Sequence, residues 1–224
     1  MPFYEIYSIL SRLAARRPIF HSEADFQHAL AWEFHISNEG AQVRLEKQIA
    51  ETGSPREYLD LLVHIGDQSI AIELKYKTRL LNINHEGEQY SLRNQSAQDI
   101  GRHDFIKDIG RLERYVKAHE KSEGIAVLLT NDPSYWTASK KLDSIDVQFR
   151  IHEGRILQVG AAWGEKAAPG TTYMRSEPLK LFGSYKIAWQ EYSSLGSGPA
   201  GKFRCIVVHV ADVAQSDEPV AIGN

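Results

Sequence analysis

The sequence predicts an α/β protein with a mixed β-sheet, in the order helix, three strands, helix and strand, followed by further C-terminal strands. Two observations support this order. The turn Gly66-Asp67 separates two strand-like runs, 58–65 and 69–77, and so predicts an antiparallel hairpin. A helical segment and a short apolar run at 124–131 follow, and strands joined through a crossover helix lie parallel to each other.

Two helices are predicted ahead of the strands. Residues 4–17 place their apolar side chains mainly on one side, and Pro18 ends the pattern. A second helix begins after Ser22, a favourable N-cap residue, with Asp25 three positions on as a variant of the capping box. This helix ends in the turn-forming run 37–40.

Three further segments complete the predicted core. Residues 42–49 alternate polar and apolar side chains, which predicts a strand. Residues 78–98 are polar and lack a clear period, so we expect an insertion or a mobile loop there. A helix is predicted over about 99–119, although Gly101 and Gly110 weaken its pattern.

The C-terminal part of the chain has a β pattern. Residues 147–151 and 155–159 flank a short turn and predict one hairpin, while residues 185–192 and 202–210 flank a Gly/Ser loop and predict another. That loop, 196–201, matches G-x-G-x-x-G, but a strand follows it rather than a helix. It is therefore interpreted as a hairpin loop and not as a dinucleotide site.

The length and these patterns together suggest how the chain is divided. Its 224 residues suffice for one good-sized domain with an appended subdomain. We expect a core in residues 1–135, a β-rich extension in residues 136–210 that packs on the core, and a flexible tail in residues 211–224.

The composition argues against several classes of protein. Cys205 is the only cysteine, so no intrachain disulfide can form, and without a Cys-x-x-Cys pair a structural zinc site is not expected. The chain has no run of 18 apolar residues and no signal-peptide pattern, so we expect a cytoplasmic protein without a membrane span. The formal net charge of −3 argues against a surface coated in basic residues, but it permits a carboxylate-rich centre that is acidic until metal binds.

Charged residues interrupt two of the apolar strands. In the run 69–77 the side chains alternate between faces, so Glu73 and Lys75 share one face. Asp60 stands within the apolar run 59–63, where an apolar residue would be the default. Because a buried charge without a partner is costly, we expect these residues to have partners or a function.

The hairpin brings these charges towards one another. Asp60 and Glu73 can approach across neighbouring strands, and two carboxylates this close repel unless a cation lies between them. Mg²⁺ prefers oxygen ligands, and Asp60, Glu73 and the main-chain carbonyl of Leu74 would supply three. Lys75 reaches the same side, where it could orient or help deprotonate the attacking water, or stabilise charge on a phosphate.

Asp60, twelve further residues and then Glu73-Leu74-Lys75 resemble the motif of the PD-(D/E)xK nuclease superfamily. The order α-β-β-β-α-β over roughly residues 20–131 likewise resembles its restriction-endonuclease-like core. In that superfamily the two acids bind Mg²⁺, for which Mn²⁺ can substitute, and the lysine assists catalysis. The resemblance therefore implies Asp60, Glu73 and Lys75 as catalytic residues, although Leu59 stands where the superfamily often has Pro.

Many members of the superfamily also have a Glu on the helix before the first strand. Glu23, at the start of the second predicted helix, matches this position and would support the metal or its waters. Gln27 follows one turn later on the same face and is a candidate substrate contact. Glu33 is the alternative to Glu23, but it lies about 80° away around the helix, so the two are not expected to serve together.

Three basic residues are further candidates for contact with a substrate. Lys77 extends the strand towards the predicted insertion. Lys107 and Arg111 fall with Asp104 and Asp108 on one face of the predicted third helix. That face is interpreted either as a salt-bridged, solvent-exposed surface or as a wall of the phosphate path.

The predicted function is metal-dependent hydrolysis of phosphodiester bonds, in DNA rather than RNA. The alternative is a binding or scaffold module that keeps the fold without catalysis, in which Asp60 and Lys75 form an ion pair. A weaker alternative is a hydrolase of a non-nucleic phosphate. The sequence leaves open whether the chain forms a homodimer.

Overall fold

The computed structural model describes residues 4–49, 57–158 and 160–211. It is a mixed α/β fold with helices α1 (Tyr4–Arg16), α2 (Glu23–Ser37), α3 (Gln98–Ala118) and the single-turn α4 (Pro169–Thr172). The strands are β1 (Gln42–Ile49), β2 (Glu57–Ile65), β3 (Gln68–Lys77), β4 (Leu81–His85), β5 (Glu88–Leu92), β6 (Ser122–Thr130), β7 (Ile156–Leu157), β8 (Tyr185–Lys186), β9 (Trp189–Ser194) and β10 (Lys202–Val210). The predicted helices and the strands β1, β2, β3 and β6 are confirmed to within two residues at the described ends.

Six of the strands form the central sheet, in the order β1-β2-β3-β6-β10-β9. β3 and β6 are parallel, while the other neighbouring pairs are antiparallel. The predicted mixture of a hairpin with a parallel crossover is therefore confirmed. Gly66, in the hairpin turn, has a φ of 60°, a conformation that favours glycine.

Helices cover both faces of this sheet. One core packs α1 and α2 against the face that includes Ile72, Leu74 and Tyr76. The other packs α3 and the segments after β6 against the opposite face, which includes Ala71 and Ala126. The predicted alternation of β3 is confirmed. Burial of Ile72 and of Leu74 each contributes roughly 1.5–3 kcal/mol to folding.

The start of α2 is fixed by local hydrogen bonds. Ser22 is the N-cap, and its hydroxyl accepts a hydrogen bond from the Asp25 N–H at 3.1 Å. The Asp25 carboxylate in turn accepts hydrogen bonds from Arg17 at 2.8 Å and from the His21 N–H at 2.9 Å. These hydrogen bonds fix the first turn of α2 and with it the position of Glu23.

Of the two alternatives predicted for residues 78–98, an insertion or a mobile loop, the mobile loop is wrong, because most of this segment forms the β4–β5 hairpin outside the central sheet. Its turn consists of Glu86 and Gly87, whose φ values of 51° and 87° are those of the tight turns that suit hairpins. Tyr90 is buried while its neighbours are exposed, an alternation too short to stand out from the polar background. Thr78 closes the base of the hairpin, since its carbonyl accepts from the Gln95 N–H at 2.8 Å.

The hairpin predicted from residues 147–151 and 155–159 is also wrong. Val147–Phe149 is a turn of 3-10 helix, and β7 pairs with β8 instead. Phe149 and Ile151 are buried, so their apolar pattern reflects packing against α3 and the sheet rather than a strand. Residue 159 lies outside the described residues.

The second C-terminal hairpin is present in part. The strand predicted over 185–192 is divided into β8 and β9, and β9 pairs with β10 across the Gly/Ser loop. Because β10 also pairs with β6, residues 136–210 contribute two strands to the central sheet.

The tail predicted over 211–224 lies, from residue 212 onwards, outside the described residues. Among the described helices, none combines the length and the apolar composition needed to cross a membrane.

The loop between β9 and β10 leads to a stability prediction. A Cβ at Gly201 would lie 1.7 Å from the Leu195 carbonyl oxygen, which is backbone and cannot rotate away. We expect Gly201→Ala to lower the free energy of unfolding by about 2–3 kcal/mol or more, measured by urea titration. Gly198→Ala is the matched control, because a Cβ there would meet nothing within 4 Å and φ is −85°. Equal stability of the two variants would contradict the prediction.

Candidate active site

The candidate site lies where β2 separates from β3. The pairing of these strands runs from Ile65 opposite Gln68 to Leu61 opposite Ile72, whereas β3 stays paired with β6 as far as Lys77. The backbone of β3 beyond Ile72 therefore has no strand partner on the side of β2. Such buried N–H groups need other acceptors, because leaving one unpaired costs about 1–3 kcal/mol.

Two predicted site residues supply these acceptors. Asp60 Oδ2 accepts a hydrogen bond from the Leu74 N–H at 2.6 Å. Glu23 Oε2 accepts one from the Tyr76 N–H at 2.7 Å. The two carboxylates, which come from β2 and α2, are thus held side by side along the open edge of β3.

Gln27 ties this edge to β1. Its side-chain amide nitrogen donates to the Asp60 carbonyl at 2.7 Å and to Glu46 Oε1 at 2.9 Å. Gln27, predicted as a substrate contact, therefore uses both amide hydrogens within the protein. Glu46 has a φ of 47° and stands between Leu45 and Lys47, which pair with the two neighbours of Asp60. A non-glycine residue held in this conformation costs about 1–3 kcal/mol, and such strain is concentrated at functional sites.

Glu73 is the most deeply buried acid of the site, with 2% of its surface exposed. Its Oε1 accepts a hydrogen bond from Arg111 at 2.7 Å, whereas its buried Oε2 has no hydrogen-bond partner among the described residues. Burial and the nearby Asp108 carboxylate raise the pKa of Glu73 well above its ordinary value, and Arg111 only partly offsets them. Burial also raises the pKa of Asp60, against the opposing effects of Lys75 and the Leu74 N–H.

Lys75 is held among carboxylates. Its ammonium forms an ion pair with Asp108 at 2.6 Å and donates to the Leu74 carbonyl at 3.0 Å, the oxygen predicted as a metal ligand. Burial alone would lower the pKa of Lys75, but Asp108, Asp60 and Glu23 raise it above its ordinary value. Lys75 is therefore a protonated cation at neutral pH, which favours stabilisation of charge over removal of a proton from water.

The polar face of α3 is divided between this site and solvent. Asp108 and Arg111 turn towards β3, and Arg111 lies 3.3 Å from Asp108 as well as 2.7 Å from Glu73. Lys107 is exposed, and Asp104 pairs with Arg175 at 2.9 Å. The helical spacing placed Asp108 next to Arg111, but the sequence alone did not mark it as a site residue.

Two other candidates lie outside the site. Glu33 forms ion pairs with Arg12, at 3.1 Å, and with Arg16, so it faces α1 rather than Asp60. Of the two acids, only Glu23 therefore lies beside Asp60, as the prediction requires. Lys77, at the end of β3, has no ion pair with the site among the described contacts.

Six side chains form what we call the charge cluster: Glu23, Asp60, Glu73, Asp108, Lys75 and Arg111. Its four carboxylates face two cations, so full ionisation leaves an excess of two negative charges. Such an excess in a buried place is unfavourable unless protons or a cation neutralise it.

The donor set fits a hard divalent cation in its chemistry. Carboxylate and carbonyl oxygens are the ligands that Mg²⁺ prefers, and Glu73 Oε2 is one buried oxygen without a hydrogen-bond partner in the described structure. The present arrangement is not a ligand cage, however. Within residues 4–49, 57–158 and 160–211, no three His, Cys, Asp or Glu side chains are grouped so that they could hold a metal ion. Asp60 is engaged by the Leu74 N–H and Glu73 by Arg111 instead.

Comparison with known proteins adds no family to this description. No protein-family model, curated protein or solved structure gives a significant match to the chain. The similarity of Asp60 and Glu73-Leu74-Lys75 to the PD-(D/E)xK motif therefore stays a resemblance. The charge cluster is an observation of the structure that does not depend on that resemblance.

The raised pKa of Glu73 leads to a prediction about stability and pH. Because this pKa is higher in the folded chain than its ordinary value of 4.5, Glu73 favours folding most at low pH. That contribution is lost as the pH rises through the folded-state pKa. We therefore expect Glu73→Gln, without divalent metal, to be more stable than wild type at pH values above the folded-state pKa of Glu73, by about 1.4 kcal/mol for each unit of the shift. The difference should shrink as the pH falls towards 4.5, as measured by urea unfolding.

Glu88→Gln is the control of opposite sign. Hydrogen bonds from His21 and Tyr90 lower the pKa of the exposed Glu88, so its neutralisation should not stabilise the chain at neutral pH. If Glu73→Gln were no more stable than wild type at any pH, the folded chain would not disfavour the charged form of Glu73.

Proposed function

We propose that the protein is a metal-dependent nuclease that hydrolyses phosphodiester bonds through the charge cluster. The single observation behind this proposal is the excess of carboxylates over cations in the charge cluster, where four acids face Lys75 and Arg111 and where Lys75 is protonated. Ion pairs that only stabilise a fold tend towards balance, whereas a site for a divalent cation needs such an excess.

The arrangement of the chain supports a restriction-endonuclease-like core. The elements α2, β1, β2, β3, α3 and β6 follow one another in the order that the resemblance implies. Asp60 stands where β2 separates from β3, and Glu73 and Lys75 point from β3 towards α3. The β4–β5 hairpin and the strands β9 and β10 are additions to that order.

Asp60 and Glu73 are the residues that would hold Mg²⁺ or Mn²⁺, with Glu23 beside them. A bound divalent cation would supply an activated water and would offset charge on the phosphate. Lys75, as a fixed cation, can donate a hydrogen bond to a phosphate oxygen as negative charge develops there. Arg111 holds Glu73 in position and gives the phosphate a second cationic neighbour. The oxygen of water forms the new bond to phosphorus while the bond to the leaving oxygen breaks, and the proton that the water loses is balanced by protonation of that leaving oxygen.

The proposed substrate is a nucleic acid, with DNA favoured over RNA on the resemblance alone. Lys107 is exposed on α3, one residue before Asp108, and Lys77 lies two residues beyond Lys75. Both can meet backbone phosphates from the rim of the site. Since phosphate contacts dominate nucleic-acid affinity, a few such residues suffice on a chain whose net charge is −3.

A second candidate function is a non-catalytic binding module with the same fold. It is favoured by the ion pairs of Lys75 with Asp108 and of Arg111 with Glu73, which engage both cations in the described structure. The two functions differ in their response to metal. A nuclease site is stabilised by Mg²⁺ or Mn²⁺, because a ligand that binds only the native state raises its stability.

Asp60→Asn tests the nuclease directly. We expect it to lower Mg²⁺-dependent cleavage of DNA by about 100-fold or more, and to remove the rise in Tm that Mn²⁺ gives the wild type. Asp67→Asn is the matched control, because Asp67 is exposed in the turn at the other end of the same hairpin. If both variants cleave DNA like wild type, the proposal is wrong. If none of the three proteins cleaves nucleic acid or responds to metal, the binding module is favoured.

Lys75 is predicted to act as a cation and not as a base. Lys75→Met should lower kcat by about 100-fold, as for the loss of one charge-stabilising donor, whereas Lys75→Arg should keep part of the rate. Because the pKa of Lys75 is raised, the wild-type rate should not show a lysine ionisation between pH 6 and about pH 9. A rate that rises with pH through an ionisation that Lys75→Arg abolishes would assign the role of base instead.

A further inference from the structure

A second polar site lies beyond the carboxyl end of β6. It is a cavity of about 370 Å³ between Arg102 in α3 and the segment that runs from Ser134 to His152. Its walls include three cationic side chains, Arg102, Lys141 and Arg150. No residue of the charge cluster lines it, so the cavity is distinct from the candidate active site.

Positive charge in this cavity exceeds negative charge. Asp146 is the one acid among the described lining residues, and it already pairs with Arg102 at 2.8 Å and accepts from the Ser144 hydroxyl at 2.5 Å. Full ionisation of the cationic side chains and Asp146 therefore leaves an excess of two positive charges. This excess is opposite in sign to that of the charge cluster.

Arg150 shows the imbalance most clearly. It is 8% exposed, and its guanidinium donates to the carbonyls of Ser139 and Lys141 and, at 2.6 Å, to the Ser144 hydroxyl. Among the described residues, no carboxylate lies within ion-pair distance of it, and Asp146 is linked to it only through the Ser144 hydroxyl, which accepts from Arg150 and donates to Asp146. A guanidinium this far from water normally has an anion in direct contact, because neutral acceptors compensate only part of the lost hydration.

The neighbouring histidine responds to the same positive field. His152 lines the cavity, and its pKa is lowered by burial and then by Arg155, Arg150 and Arg102. Its buried Nδ1 has no hydrogen-bond partner in the described part of the chain, and neither has Nε of Arg102. The polar groups around this cavity are thus incompletely satisfied as well as unbalanced in charge.

We propose that this cavity binds a phosphate group, as the phosphorylated end of a nucleic-acid strand or as a free nucleotide. Arginine, lysine and hydroxyl groups at one place are the usual partners of phosphate oxygens. The hydroxyls of Ser134 and Thr137 are in the lining and can serve this purpose, whereas the Ser144 hydroxyl already donates to Asp146. The volume of about 370 Å³ falls within the range of small-molecule sites, so it has room for more than an isolated phosphate ion.

The position of the cavity relates it to the charge cluster without depending on it. Arg102 and Asp108 lie six residues apart on α3, which is about 9 Å along the helix axis. A nucleic-acid strand that rises about 3.4 Å per nucleotide would cover this distance in a few nucleotides. The two residues also lie about 120° apart around the helix, so a strand whose phosphorylated end occupied the cavity would have to curve around α3 to reach the charge cluster, whereas a free nucleotide would occupy the cavity alone.

The test measures binding to the metal-free full chain, so its outcome does not depend on nuclease activity. Inorganic phosphate, a nucleoside monophosphate, and one oligonucleotide with either a 5′-phosphate or a 5′-hydroxyl are titrated by calorimetry in a phosphate-free buffer. We expect wild type to bind the phosphorylated probes. Lys141→Ala and Arg102→Gln should each weaken this binding about 10-fold, since each removes one cation from the lining.

Lys140→Ala is the matched control, because Lys140 is the exposed neighbour of Lys141 and does not line the cavity. Circular dichroism checks that Arg102→Gln folds, and the exposed Lys141 keeps the test valid if it does not. Preference for the 5′-phosphorylated over the 5′-hydroxyl oligonucleotide indicates a strand end, and binding of the monophosphate alone indicates a nucleotide. The proposal is overturned if no phosphorylated probe binds, or if Lys141→Ala and Lys140→Ala bind with equal affinity.

Discussion

The separation of β2 from β3 is the constraint on which the rest of the site depends. β3 pairs with β6 from Ser69 to Lys77, but with β2 only as far as Ile72. Beyond Ile72, the edge of β3 that faces β2 would therefore have unpaired N–H groups. The carboxylates of Asp60 and Glu23 accept hydrogen bonds from the Leu74 and Tyr76 N–H groups, in place of the carbonyls of a neighbouring strand. The carboxylates therefore have a structural task, and this explains how acids come to be fixed inside an otherwise apolar sheet. Gln27 secures the same place from α2 by binding the carbonyl of Asp60.

The charges gathered at this edge are not in balance. Asp108 both stabilises Lys75 and raises the pKa of Glu73, so one carboxylate acts in opposite directions on two neighbours. A sequence selected for stability alone would reduce that conflict, because buried charges of like sign oppose folding. Local conflicts of this type persist at functional sites, where the fold gives up some stability to keep a reactive arrangement. The positive φ of Glu46, beside Asp60, adds a second local cost in stability at the same place.

Much of the fold could be predicted from the sequence because its main elements are long and periodic. Asp60, Glu73 and Lys75 were recognisable because charges stood out within apolar strands. Asp108 did not stand out, since an acid on an amphipathic helix is ordinary until the helix is known to pack on β3. The bond from Gln27 to Glu46 joins α2 to β1, and no local pattern encodes a contact of that kind.

The errors in the fold have similar causes. The β4–β5 hairpin has only short alternation and a Glu86-Gly87 turn, which is weaker as a signal than Asn-Gly or Asp-Gly. The apolar residues around Phe149 predict a strand, yet their burial comes from packing in irregular structure. Short apolar runs do not distinguish these cases without knowledge of their neighbours.

The closed base of the β4–β5 hairpin has an implication for how this chain can vary. The Thr78 carbonyl accepts from the Gln95 N–H, the Thr78 N–H donates to the side-chain oxygen of Gln95, and the Thr78 hydroxyl donates to the Arg93 carbonyl. The chain thus leaves β3 and returns towards α3 at almost the same point. The distance between Lys75 and its partner Asp108 is therefore set below the hairpin and not by its length. The Glu86-Gly87 tip can therefore be lengthened, shortened or decorated while β3 and α3 keep their spacing.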